Sequence, residues 1–349
     1  MLLLPEPDLF QLLRTLTKAQ CERAIRALEE SLRAFSADET TSNAAKLIHQ
    51  PHRTVIPNAQ NDSSVLFMPS SDSKNAAVKI VTLSSRGALG VINIFSPDGT
   101  LLGLLSADEV TAFRTALASL SLLRRCRSMK KDNIVIFGAG RQAEWHARLC
   151  LLLLPSGAIK CITFVNRSRK RLEELAATIL AELHREYPDV RVETLVQEEA
   201  MYAGRLKATI ASSNVIFTCT PSTIPLFPSS YLEGKLSQGR FISLIGSYRP
   251  EMHEVDTATL LSGNQVYVDG KIACMREAGE LITAGVQESE LIELGCILNS
   301  EEDMADLEIA ENRNIIFKCV GMGIMDLAVG RVLLDLGSEL GIGIQVDRF

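Results

Sequence analysis

The stretch that most restricts what this chain can fold into is Asn133-Ile-Val-Ile-Phe-Gly-Ala-Gly-Arg-Gln-Ala-Glu-Trp-His146. A short apolar run ending at Phe137 enters Gly138-Ala-Gly140 directly. A helical pattern follows, with Ala143, Ala147, Cys150, Leu151 and Leu154 on one face and a stop at Pro155. Strand, tight turn and helix in that order form the entry to a dinucleotide-binding fold. Gly138 permits the turn, Gly140 lets the backbone approach a pyrophosphate, and Ala143 lets helix and strand pack closely. The helix N-terminus offers amide donors and partial positive charge to the phosphates. An ordinary buried strand and helix joined by a glycine turn has the same local pattern, so the flanking sequence has to separate the two.

From residue 133 onward, strands expected at 133–137, 161–165, 214–219, 241–245 and 265–269 alternate with helical stretches, including 141–154 and 169–185. That alternation implies a mostly parallel sheet covered by helices. The preceding part reads differently. A helix is expected over 8–34 and a polar loop over 36–50, followed by strands at 52–56, 65–68, 76–83, 89–95 and 101–105. Ser84-Ser-Arg-Gly87 and Ser96-Pro-Asp-Gly99 are turn chemistry between successive strands, which implies antiparallel pairing. Ser106-Ala-Asp-Glu109 is a capping box opening a helix over 110–124. Near the end the chain crosses 315–319 and closes with a helix over 322–340. At 349 residues the chain has room for two domains. The fold class is α/β, with a Rossmann-type dinucleotide domain over 126–319 and a smaller α+β domain built discontinuously from 1–125 and 320–349.

Composition excludes several classes. Hydrophobic residues make up 46% and the net charge is −6, so a core is expected and a basic nucleic-acid footprint is not. The basic cluster at Arg124, Arg125, Arg127, Lys130 and Lys131 falls between two elements and reads as a solvated connection. Met1-Leu-Leu-Leu-Pro-Glu-Pro-Asp8 lacks the form of a signal peptide, and no apolar run approaches the ~18–20 residues of a membrane span. The eight cysteines include no Cys-x-x-Cys pair and the five histidines are scattered. Free thiols in a reducing cytoplasm are therefore expected, with no metal site.

Asn166-Arg167-Ser168-Arg169-Lys170 follows the second strand of the nucleotide unit, where an NAD site places an acid against the ribose hydroxyls. Here the position is basic and polar, which suits a 2′-phosphate and favours NADP(H) over NAD(H). The competing reading is that residues 168–170 merely start a solvated helix. In the front domain three cations interrupt apolar elements: Arg53 in His52-Arg-Thr-Val-Ile56, Lys79 in Ala76-Ala-Val-Lys-Ile-Val-Thr-Leu83, and Arg114 between Phe113 and Thr115. Taken singly each reads as a surface charge. Together they suit a small carboxylate, but periodicity alone does not favour that convergence.

The same residues carry a resemblance to the ornithine cyclodeaminase/mu-crystallin family. The matching segments include Gln50-Pro-His-Arg-Thr-Val-Ile-Pro57, Val78-Lys-Ile-Val-Thr82, Gly99-Thr-Leu-Leu102, Thr111-Ala-Phe-Arg-Thr115, Gly138-Ala-Gly-Arg-Gln-Ala143 and Val165-Asn-Arg-Ser168. Further along come Thr218-Cys-Thr-Pro-Ser222, Glu277-Ala-Gly-Glu280 and Phe317-Lys-Cys-Val-Gly-Met-Gly-Ile-Met-Asp326. The resemblance implies that Arg53 and Arg114 bind the substrate carboxylate and that Lys79 is catalytic, hydrogen-bonding the carboxylate or the reacting nitrogen and helping to control its protonation. It assigns cofactor contacts to Gly138, Ala139, Gly140, Gln142, Asn166, Arg167, Ser168, Cys219 and Thr220, and it implies a homodimer joined through the front-domain sheet. Tyr248 stands where cyclodeaminases carry an Asp, and residues 166–168 lack their usual acid. Both departures point to the ketimine reductase branch, acting on a small carboxylate-bearing imine or amino acid. A cyclodeaminase-type lyase and a non-enzymatic NADPH- or ligand-binding protein are the rivals. The family usually has a longer connection, with Pro-Ser-His-Gln or similar, where this chain has Gly87-Ala-Leu-Gly90.

Overall fold

The computed structural model describes residues 1–38, 46–61, 63–84, 87–233, 239–298, 307 and 313–347. The chain forms two units, Met1–Ala118 with Gly321–Phe349, and Ser119–Val320.

In the first unit the described residues form a seven-stranded sheet. Its labelled strands are β1 (Leu2–Leu4), β2 (Thr54–Asn58), β3 (Ser63–Ser71), β4 (Ala76–Ser84), β5 (Gly87–Phe95) and β6 (Leu101–Ser106). The order across the sheet is Ile344–Gln345, β1, β6, β5, β4, β3, β2. From β2 to β6 each strand pairs antiparallel with the next, while β1 joins β6 in parallel. The two faces differ sharply. Register places Leu66 opposite Val81, Met68 opposite Lys79, and Lys79 opposite Ile92, all on a buried face. The almost wholly buried helix Gly323–Leu340 packs on β3, β4 and β5. A helix apolar on nearly every side is stable only when covered. It also packs against the helix Lys18–Asp38.

Three details depart from the sequence reading. The helix expected over 8–34 is two helices, Glu6–Thr15 and Lys18–Asp38, broken at Leu16, whose backbone is extended. Thr17 and Gln20 exchange hydrogen bonds as a capping box that starts the second helix. Gly87–Gly90, read as a connection, is the first part of β5 and pairs with Val81–Ser84 of β4. The turn expected at 84–87 has its central residues, 85 and 86, outside the described residues, as are residues 39–45 of the loop expected over 36–50. β1 was not expected, because three leucines before a proline are too short for an alternation to show.

The second unit is organised by an eight-stranded sheet in which every pairing is parallel. Its strands are β7 (Asn133–Phe137), β8 (Cys161–Asn166), β9 (Arg191–Val196), β10 (Val215–Thr218), β11 (Phe241–Leu244), β12 (Gly263–Val268), β13 (Leu291–Glu293) and β14 (Asn314–Lys318). The order is β13-β12-β14-β11-β10-β7-β8-β9, so the chain reverses direction across the sheet between β7 and β10. That switch point is where doubly wound sheets open a crevice for dinucleotides. Ile134 to Phe137 of β7 are all buried, as are all four residues of β10 and β11, which explains their mostly apolar sequence. Edge strand β9 escaped the sequence reading because Arg191-Val-Glu-Thr194 keeps a polar, half-exposed character.

Candidate active site

In the first unit Lys79 stands on the buried face of β4 with 4% exposure. At that burial the ammonium must be matched by a charge or dipole. The match comes from Asp326, 1% exposed, in the first turn of Gly323–Leu340. Lys79 Nζ donates to Asp326 Oδ2 at 3.2 Å and to Oδ1 at 3.4 Å. Arg114, 3% exposed on the helix Ala107–Arg125, donates from Nε to the same Oδ1 at 3.0 Å. Its Nη1 donates to Thr115 Oγ1 at 2.7 Å, and Thr115 in turn donates to Thr111 O. Gly321, in the left-handed region at φ +86°, lies against the guanidinium: a Cβ there would meet Arg114 Nη2 at 2.4 Å. Arg53 precedes β2 and adds its positive charge to the surroundings of Lys79.

Burial is the largest influence on Lys79 and pulls its pKa from 10.5 to about 8; Asp326 opposes the fall, while the neighbouring charges of Arg114 and Arg53 deepen it. A lysine near 8 can hold or give up a proton close to neutral pH. The structure thus joins Lys79 and Arg114 through one carboxylate, with Arg53 within electrostatic reach. Asp326 had no role in the sequence reading, although an acid in a first helical turn is visible there.

In the second unit β7 runs into Gly138, whose φ of +118° only glycine adopts at ease. Gly138 N donates to Val165 O of β8, and Cys219 N, just past β10, donates to Phe137 O. A Cβ on Gly138 would sit 2.9 Å from Cys219 O, so the loops after β7 and β10 meet at the switch point. The helix Arg141–Leu153 opens at Gly140 with no side chain capping its end, and a Cβ on Gly140 would meet nothing within 4 Å. An uncapped helix start beside open space suits a pyrophosphate. Ala139 and Gln142 are half-buried in the same turn.

At the end of β8, Asn166 Nδ2 donates to Ser168 O, and Ser168 Oγ accepts from Arg171 N as the cap of the helix Arg169–Leu175. Arg167 is exposed and makes no ion pair or hydrogen bond among the described residues. Around the β10 and β11 ends a buried network went unread in the sequence. Glu254 accepts from Thr218 Oγ1, Thr220 N, Thr220 Oγ1 and Gly246 N, so one carboxylate pins both loops. Glu280 accepts from Ser247 Oγ and from Glu254 N. Lys318, wholly buried at the end of β14, donates to Ser247 O at 2.6 Å and lies 3.7 Å from Glu280. Burial raises Glu254 above the usual carboxylate range. Burial also acts to raise Glu280, but the Lys318 charge and the Ser247 hydrogen bond outweigh it and hold the group low. Tyr248 is half-buried, with the Arg249 guanidinium 5.6 Å from its ring centre. Burial drives the Cys219 thiol well above its ordinary pKa, and the Glu254 charge adds to this, so the side chain is a neutral lining group.

The chain and its fold are similar to known proteins over nearly their whole length. The chain is 29% identical over 351 aligned positions to an uncharacterized protein of Saccharomyces cerevisiae, covering 90% of this chain and 92% of that one. It is 27% identical over 302 positions to the ketimine reductase mu-crystallin of Mus musculus, covering 84% and 86%. The Thermococcus litoralis Delta(1)-pyrroline-2-carboxylate reductase, solved with NADH and L-proline, superposes with a TM-score of 0.79 at 22% identity, covering 99% of this chain and all of that one. Among the described residues no helix is long and apolar enough to cross a membrane. The family model for ornithine cyclodeaminase/mu-crystallin matches residues 7–339, and the chain belongs to that family.

Proposed function

We propose that this protein is an NADPH-dependent reductase of small cyclic imines that carry a carboxylate next to the C=N bond. The observation that carries the reading is the buried Lys79–Asp326–Arg114 assembly with Arg53 beside it. One carboxylate shared between two cations leaves positive charge for an anionic substrate. Ketimine and pyrroline-2-carboxylate reductases among the relatives supply the reaction class. In this reading the first unit binds substrate and the second binds the dinucleotide. A bound nicotinamide cofactor supplies a hydride. Arg53 and Arg114 hold the carboxylate, which fixes the imine carbon in place; such positioning contributes several kcal/mol, up to ~7–11 in the best intramolecular models. Lys79 keeps a proton on the imine nitrogen, so that the C=N carbon gains hydride and the π pair ends as the lone pair of the amine nitrogen.

Preference for NADP(H) rests on Arg167, exposed at the end of β8 with no acid at 166–168. A homodimer is also part of the proposal. The face of the first-unit sheet opposite Lys79 lines up Ile56, Val65, Phe67, Ile80, Leu89 and Val91 by register, and Ile56, Leu89 and Val91 are 52%, 50% and 43% exposed. A contiguous apolar face on a sheet is costly to leave in water.

The test is a two-mixture panel with purified protein: NADPH with a piperideine- or pyrroline-2-carboxylate, and NAD⁺ with ornithine. Oxidation of NADPH in the first mixture alone supports the reductase. Cyclic product in the second alone would establish a cyclodeaminase instead, and nucleotide binding without turnover in either would leave a binding protein.

A further inference from the structure

Asp326 is not placed as a surface acid. Its oxygens are divided between two cations from separate elements, Lys79 on β4 and Arg114 on the helix Ala107–Arg125, and it is buried with both. It lies in the first turn of Gly323–Leu340, where the helix dipole favours a negative charge. Removing that charge would leave two buried cations facing each other with Arg53 nearby. We propose that Asp326 is the positioning residue of the substrate site, fixing Lys79 and Arg114 in one geometry and setting how many positive charges the substrate carboxylate meets. The inference rests on the reading of these cations as the substrate site.

The charge argument can be followed group by group. The elements around Lys79 bring Arg114, Arg53 and Asp326 to bear on it, and its cross-strand partners on β3 and β5 are Met68 and Ile92, which carry no charge. Of these influences Asp326 alone favours the ammonium. Without it, burial and two guanidinium groups act unopposed, and the lysine enters neutral solution as an amine. An amine at this place cannot donate the proton the imine nitrogen needs, and it also weakens the hold on the carboxylate. Asp326 therefore links geometry to charge state: the contacts that aim Lys79 and Arg114 also keep the lysine protonated.

The experiment compares wild type, Asp326→Asn and Asp326→Glu, each grown with lysine labelled with ¹³C at Cε. NMR titration without substrate follows the Lys79 signal, assigned by its loss in Lys79→Arg. In parallel, kcat and kcat/KM are measured against pH with NADPH and piperideine-2-carboxylate. Asp326→Asn is expected to lower the Lys79 midpoint by about 1–3 pH units, and the alkaline limb of kcat should follow it. Asp326→Glu keeps the charge but shifts it by one methylene. Its Lys79 midpoint should stay close to wild type while kcat/KM falls about 10–100-fold, the penalty of a misplaced clamp. A folded Asp326→Asn protein whose Lys79 titrates as in wild type would overturn the proposal. So would wild-type kinetics from Asp326→Glu, which decides the matter if Asp326→Asn does not melt cooperatively. Should the wild-type protein reduce no imine, the reductase reading falls, while the NMR comparison still decides the role of Asp326.

Discussion

Gly321→Ala perturbs the carboxylate clamp at a single atom. The added Cβ would lie 2.4 Å from Arg114 Nη2 and 2.6 Å from Nη1, well inside contact, so the guanidinium has to move. The backbone cost is separate: Gly321 is at φ +86°, and an L-residue there costs roughly 1–2 kcal/mol. Gly341→Ala supplies the control, because Gly341 is also left-handed, at φ +66°, yet its Cβ would meet nothing within 4 Å. The backbone cost should lower the melting temperature of both variants by about 2–8 °C, and Gly321→Ala should lose more because its buried guanidinium is displaced. Only Gly321→Ala should disturb substrate binding. A hydrogen bond to a charged group contributes about 1.5–3 kcal/mol, which corresponds to a rise in KM of roughly 10–150-fold. Steady-state kinetics with piperideine-2-carboxylate at saturating NADPH measures the rise, and thermal melting confirms that both variants are folded. Nucleotide affinity should be the same in both, since Gly138 and Gly140 belong to the other unit. If Gly321→Ala is folded and its KM equals that of Gly341→Ala, Arg114 does not hold the substrate carboxylate.

His146 is wholly buried, with Nδ1 2.7 Å from Gln142 O and Nε2 3.0 Å from Ser119 Oγ, and burial depresses its pKa from 6.5 to about 4. Between those values the unfolded chain takes up a proton that the folded one refuses. Stability should thus fall as pH drops from about 6.5 to 4, by about 3 kcal/mol from this residue. His146→Gln should flatten the fall in urea midpoints between pH 7 and 4.5; an unchanged slope would remove His146 as its source. Arg167→Ala should weaken NADPH at least about tenfold and leave NADH nearly unaffected, as read by fluorescence titration, because only the 2′-phosphate loses a charged partner. Equal losses for both nucleotides would exclude that assignment. On the exposed sheet face, Leu89→Asp should convert dimers to monomers in sedimentation velocity, and a monomeric wild-type protein would remove the dimer from the proposal.

The parts of the fold legible in the sequence are those whose signal is local. β7, Gly138 and the helix beginning at Arg141 are consecutive, so burial, turn and helix start are written within a few residues. The same holds for the alternating strands β3 to β5. Elements fixed by their neighbours were not legible. β1 has three residues and gains its identity only by pairing with β6, and β9 is polar because it lies on an edge. The site divides along the same line. Lys79 is conspicuous because it breaks an apolar strand, but its partner Asp326 is 247 residues away and looks like any acid in a first helical turn. Glu254, Glu280 and Lys318 meet only after β10, β11 and β14 are aligned, so their shared hold on residues 218–220 and 246–247 has no linear pattern.

Transfer of a labelled hydrogen tests the proposed reaction most directly. Protein incubated with NADPH deuterated at the reactive position of nicotinamide C4 and with piperideine-2-carboxylate should give pipecolate carrying one deuterium at Cα. Wild-type protein should do so, and Lys79→Met should do so far more slowly while still binding NADPH. Pipecolate without deuterium, or label-free release of ammonia from ornithine in the presence of NAD⁺ with no imine reduction, would contradict a reductase built on Lys79, Arg53 and Arg114.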